Sequence, residues 1–128
     1  MRNKPVKFSY KFWVAATPLG YAIQFYPYAG KDENYDSNLG LGGSVVSTLA
    51  EKLPSQVGSN YHIIMDNFFT SPNLLRILKG KGIAATETVR INRVENAPLR
   101  PIKEMEKLER GASNVFTDKN SNLTLVVR

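Results

Sequence analysis

The stretch HIIMDNFFTSPNLLRILKGKG, from His62 to Gly82, limits the fold more than any other part of the chain. Tyr61–Met65 is short and largely apolar, which predicts a strand buried inside a sheet. Ser71 then predicts a helix cap and Pro72 the first helical position, where a missing N–H costs nothing. Leu74, Leu75 and Leu78 fall on one face at helical spacing, and Gly80 and Gly82 end the helix. IAATETVRI, Ile83–Ile91, is a candidate strand. Strand, helix and strand in that order call for α/β layering.

The rest of the chain agrees with this class. Lys7–Thr17 is aromatic and β-branched with partial alternation, and reads as a strand. Pro18–Gly20 is turn chemistry, and Tyr21–Gly30 reads as the second strand of a hairpin. Pro27 ends the pairing or sits at an edge. Gly30–Gly43 is a polar, glycine-rich loop. Ser44–Leu53 predicts a helix capped by Ser44, with Val45, Val46, Leu49 and Leu53 on one face and Pro54 as its stop. Beyond Asn92 the pattern weakens. A short helix is expected at Ile102–Leu108, and Leu123–Arg128 begins another strand. The expected order is ββ-α-β-α-β with an irregular tail.

Composition removes several functions. The 128 residues suit one small domain, and a hydrophobic content of 42% supports a core. With no cysteine and one histidine, His62, a disulfide framework, a thiolate zinc site and a multi-histidine metal site are excluded. No apolar run approaches the roughly 20 residues of a membrane span, so no membrane partner is expected. GLGG at Gly40–Gly43 precedes a helix, but neither G-x-x-x-x-G-K-[ST] nor G-x-G-x-x-G is present. A serine hydrolase would need G-x-S-x-G, which is also absent. The net charge of +6 favours a polyanion partner. Arg2, Lys4, Lys7 and Lys11 crowd the first 13 residues. Arg76, Lys79, Lys81, Arg90 and Arg93 face only Glu87 between residues 76 and 93.

Asp66 follows the apolar strand directly. A carboxylate there is in a standard position for a ligand site in an α/β sheet. It equally serves to cap the strand end or the next turn. Magnesium wants about six oxygens, usually with one or two carboxylates. Two-metal phosphoryl chemistry wants several acids around ions roughly 4 Å apart. No second acid is expected at a strand end, because most of the others fall in polar loops or on helix faces.

The block IMDNFFTSPNLLRILKGKGIAA followed by TVRINR resembles the piggyBac-type transposase family, including its transposable-element-derived members. NKPVKFSYKFWVAAT resembles the family's K-P-x-K-x-G-x-K strand, and GYAIQFYPYAGK the strand that follows. LGLGGSVVSTLAEKL resembles a glycine-containing lead-in to a helix, and RGASNVFTDKNSNLTLVVR the run before a W-x-D strand. The resemblance covers essentially all of the chain. It implies an RNase H-like transposase core, a mixed sheet flanked by helices, with residues 1–91 as core elements and 92–128 as the start of an inserted region.

Such enzymes cut and join DNA with three aspartates that hold two Mg²⁺ ions. One ion activates water or a 3′-hydroxyl and the other stabilises the leaving oxygen. By motif, Asp66 matches the second aspartate and is the implied metal ligand. Arg90, Asn92 and Arg93, with Lys4 and Lys7, are the implied DNA contacts. A nuclear location, DNA as partner and a homodimer in the full-length family are implied as well. Ser9 stands where the family usually has glycine, and so does Glu87, which puts an acid beside the proposed phosphate contact. The first aspartate belongs before the K-P segment and the third after the W-x-D strand, so this sequence is expected to be an incomplete core lacking its central first strand. It is also expected to be inactive alone and marginally stable. The alternatives are a domesticated DNA- or partner-binding module without catalysis, and a partial reading frame of an active enzyme.

Overall fold

A computed structural model of the chain describes residues 10–28, 30, 35–54, 60–94 and 96–128. Lys4 and Lys7 lie outside the described residues, as do Asp32, Glu33 and Glu95. The chain divides into two compact units, residues 1–59 and 60–128.

In the first unit, β1 (Phe12–Ala16) and β2 (Ala22–Pro27) form an antiparallel hairpin. Thr17 N–H donates to the Tyr21 carbonyl over 2.8 Å, and Gly20 takes φ +88° between them, where glycine escapes the Cβ clash. Pro27 pairs with Phe12 at the far end of the ladder. Trp13 is buried, with the Lys11 ammonium 4.1 Å from its ring centroid and Tyr28 edge-on to it. The opposite face exposes Phe12, Val14 and Phe25.

The helix of this unit, α1, spans Gly40–Glu51 and so begins four residues before the expected Ser44. Ser44 is not its cap. The Ser44 hydroxyl is buried inside the helix, donates to the Gly40 carbonyl at 2.7 Å and accepts the Asp36 N–H at 2.9 Å. Leu39 packs closely on Gly43, where an added Cβ would lie 2.9 Å from the Leu39 Cβ. Val45, Val46 and Ala50 complete the buried side of α1.

The second unit opens with β3 (His62–Met65), α2 (Pro72–Gly80) and β4 (Ala84–Glu87), a β-α-β unit in which β3 and β4 pair in parallel. Local chemistry sets both ends of α2. The Ser71 hydroxyl accepts the Leu74 N–H at 3.2 Å. At the other end Gly82 takes φ +73°, Gly82 N–H donates to the Lys79 carbonyl and Ile83 N–H to the Leu78 carbonyl, both over 2.9 Å. That pair of bonds is a Schellman cap, with Ile83 buried against the helix end. Leu74 and Leu78 are fully buried.

A 3-10 turn at Ile91–Arg93 and a one-turn helix, α3 (Ile102–Met105), follow. β5 (Asn114–Thr117) and β6 (Thr124–Val127) then form a second antiparallel hairpin. Its turn is tied by Asp118, whose carboxylate accepts from Asn120 N–H, Ser121 N–H and the Ser121 hydroxyl. These bonds, the Ser121 hydroxyl first, hold the Asp118 carboxyl below its usual range.

Two further expectations change. Among the described residues the strands form three two-stranded sheets in place of one mixed sheet. β3 is also not buried on both faces: it alternates, with Ile64 77% exposed. Only its Ile63 and Met65 side turns inward, because a sheet of two strands has a helix on one face and nothing described on the other.

Candidate functional site

Asp66 is exposed, immediately beyond the C-terminal end of β3. The chain reverses there. The Phe68 N–H donates to Asp66 Oδ1 at 2.9 Å and the Phe69 N–H to the Asp66 carbonyl at 3.2 Å. One carboxylate oxygen thus shapes an Asx turn of the kind that aspartate makes with backbone two residues on. The other oxygen has no hydrogen bond among the described residues. Asp66 therefore caps the strand end and still presents one oxygen outward.

The turn is bound to the segment after β4. The buried Thr70 hydroxyl lies 2.9 Å from the Asp66 carbonyl and 2.7 Å from the Thr88 carbonyl. The Arg93 guanidinium uses one nitrogen, Nη1, for two carbonyls, Asn67 at 3.0 Å and Thr70 at 3.1 Å. Arg90 Nε donates to Asn67 Oδ1 at 3.2 Å. Buried Val94 anchors the arginine-bearing segment from the next position. Asp66, Asn67, Arg90 and Arg93 are thus brought together, and Asn92 lies exposed between the arginines. Among the described residues neither arginine pairs with Glu87.

Glu87 is a site residue that the sequence reading misses. The candidate strand was expected to run to Ile91, which would put Glu87 mid-strand. β4 ends at Glu87, whose Cα is the ladder partner of Met65. A second acid therefore stands at a strand end, contrary to expectation, paired with Met65 and on the inward side of its strand. The signal was parity: Ala85 and Glu87 share the inward side of β4, opposite Ala84 and Thr86. Glu87 lines a cavity of about 690 Å³ between α2, β4 and the second hairpin, together with Leu75, Val94, Phe116 and Leu125. Its Oε2 is buried without a hydrogen bond. Burial pushes its carboxyl up to about 7, against a smaller opposing effect of the Thr70 hydroxyl.

This donor set does not fit a two-magnesium centre. Among the described residues no three His, Cys, Asp or Glu side chains gather to hold a metal. Of the two strand-end acids, Asp66 offers one outward oxygen. Glu87 is turned into the cavity, and burial raises its carboxyl above the usual carboxylate range.

A transposase IS4 family model matches residues 1–127. The chain belongs to the piggyBac-type branch of this family. It is 40% identical over 124 residues to human piggyBac transposable element-derived protein 3, covering 96% of this chain and 21% of that protein. To human piggyBac transposable element-derived protein 2 it is 39% identical over 123 residues, covering 95% and 21%. The chain thus spans about a fifth of the length of these relatives. Its fold is similar to that of a piggyBac transposase solved by cryo-EM as a synaptic complex with hairpin DNA. The TM-score is 0.71 at 28% identity, over 98% of this chain and 25% of that one. The mixed α/β architecture is accordingly a piggyBac-type one, and the turn bearing Asp66 is part of it.

Proposed function

We propose that the chain is part of a transposase-derived catalytic core, of the class that cuts and joins DNA, and that these 128 residues alone do not carry out strand transfer. The observation that carries this reading is the D-N-F-F-T-S turn of Asp66, bonded to the T-V-R-I-N-R block in a piggyBac-type chain. In this reading the core is RNase H-like. Asp66 supplies one carboxylate of a magnesium centre whose other ligands are not among the described residues. In this reading the sheet is completed by a strand that is not among those described. The test is a supercoiled plasmid incubated with the purified chain and Mg²⁺ or Mn²⁺. The expected result is intact plasmid. Nicking that disappears in Asp66→Ala would overturn the claim of inactivity.

A second reading is a domesticated DNA- or partner-binding module without catalysis. It is favoured by the charge of +6 and by the exposed Arg90, Asn92 and Arg93 beside the turn. The guanidinium groups each keep N–H donors beyond those given to Asn67 and Thr70, and these suit a phosphate. The hairpin DNA held by the solved neighbour supports DNA as the partner; the nucleus is the location that goes with this proposal. Lys4 and Lys7 are further DNA contacts in this proposal, and a homodimer is its assembled form. Affinity for a short duplex should fall steeply with salt, and each arginine replaced by alanine should lower the log–log slope by about 1. No binding at low salt would exclude this module.

A further inference from the structure

We propose that Arg93 is a positioning residue, which fixes the orientation of the Asp66 carboxylate by clamping the carbonyls of the turn behind it. The inference rests on the reading of Asp66 as the working acid, and adds to that reading the group that aims it. A six-residue turn between a strand and a helix has many ways to close. Here the Phe68 amide bonds to Asp66 itself, so the carboxylate is only as fixed as the turn. Three ties bring the turn to rest, and all come from one short segment. The Thr70 hydroxyl reaches the Thr88 carbonyl, Arg90 reaches the Asn67 side chain, and Arg93 reaches the Asn67 and Thr70 carbonyls together.

The three ties are unequal. Arg90 holds a side-chain amide, which can rotate away without moving the backbone. Thr70 holds the end of the turn. Arg93 holds backbone at Asn67 and at Thr70, on both sides of Phe68 and Phe69, through a charged donor that makes stronger hydrogen bonds than a neutral one. Its own backbone is anchored, since Arg93 N–H closes the 3-10 turn on the Arg90 carbonyl at 2.9 Å and Val94 beside it is buried. The clamp therefore has a fixed end and a gripping end. The T-V-R-I-N-R block thus has a second task beside any phosphate contact.

The reporter is the Phe68 amide, whose proton points at Asp66 Oδ1. Amide exchange and ¹H–¹⁵N shifts are to be measured on the full chain for wild type, Arg93→Gln, Arg93→Lys and Arg90→Gln. In Arg93→Gln, Phe68 exchange should rise about tenfold and its hydrogen-bonded shift should be lost, while amides of β5 and β6 keep their protection. Arg93→Lys keeps the charge without the planar fork and should fall between the two. Arg90→Gln should move Phe68 less than Arg93→Gln does. If Arg93→Gln unfolds, the Arg93→Lys chain decides alone by the same two readings. Wild-type exchange and shift at Phe68 in a folded Arg93 variant would overturn the clamp. The reading of Asp66 as a metal ligand fails separately: Mn²⁺ that broadens wild type and Asp66→Asn equally around residue 66 would remove the ligand and leave the Phe68 result standing.

Discussion

At the residue scale the sharpest contrast is between two acids on neighbouring strand ends. Asp66 is exposed and held by an amide, whereas Glu87 is half-buried with an orphaned oxygen. Glu87 has a folded value of about 7 against an ordinary value of 4.5, so the folded chain binds its proton more tightly than the unfolded chain does. Its contribution to stability is complete below pH 4.5 and is lost as pH rises through 7. At 1.36 kcal/mol per unit the shift would be worth about 3 kcal/mol, and solvent around a half-exposed group reduces that to roughly 1–2 kcal/mol. Melting temperatures of wild type and Glu87→Gln, compared from pH 5 to pH 8.5, test this. The wild type should lose several degrees relative to the variant toward pH 8.5. Parallel curves would show that Glu87 does not bury its charge.

At the scale of elements, α2 shows how short-range chemistry carries a prediction. Ser71→Ala removes the bond to the Leu74 N–H and should cost about 1 kcal/mol. Gly82→Ala forces a Cβ into φ +73° and should cost a similar ~1 kcal/mol, measured by urea unfolding. An unchanged midpoint in either variant would mean that the helix end is held by packing alone. Both ends of α2 are legible in the sequence because cap, proline and glycine act within four residues. The start of α1 is not legible, since what marks it is the approach of Leu39 to Gly43 and the Asp36–Ser44 bond, neither of which a composition rich in glycine announces. The hairpin of β5 and β6 is only half legible. Leu123–Val127 has a strand's composition, but Asn114–Thr117 is four residues long and is defined by its partner. The candidate site divides in the same way. Asp66 and the arginines announce themselves by motif. Glu87 becomes a neighbour only through the parallel register of β3 and β4, and the clamp at Arg93 only through a contact across 23 and 26 residues.

At the scale of the molecule, the balance is between small cores and exposed apolar faces. Among the described residues the buried apolar ones are Trp13, Val45, Val46 and Ala50 in the first unit, and Leu74, Leu78, Ile83, Val94 and Met105 in the second. Units of roughly 60 residues with cores of this size supply about 3–5 kcal/mol at best. Against this, the first hairpin shows Phe12, Val14, Ile23 and Phe25 to water, with Phe25 70% exposed. An exposed apolar face on a sheet with open edges invites association. The isolated chain should therefore melt broadly at a low midpoint and self-associate as its concentration rises. Phe25→Lys puts a charge on that face without touching Trp13, which lies on the other. It should suppress association in sedimentation or light scattering. Trp13, the only tryptophan in the sequence, should meanwhile report unchanged unfolding by fluorescence. A cooperative melt with a high midpoint in a monomeric wild type would contradict the argument from core size. Loss of the Trp13 signal in Phe25→Lys would show that the exposed face is part of the fold.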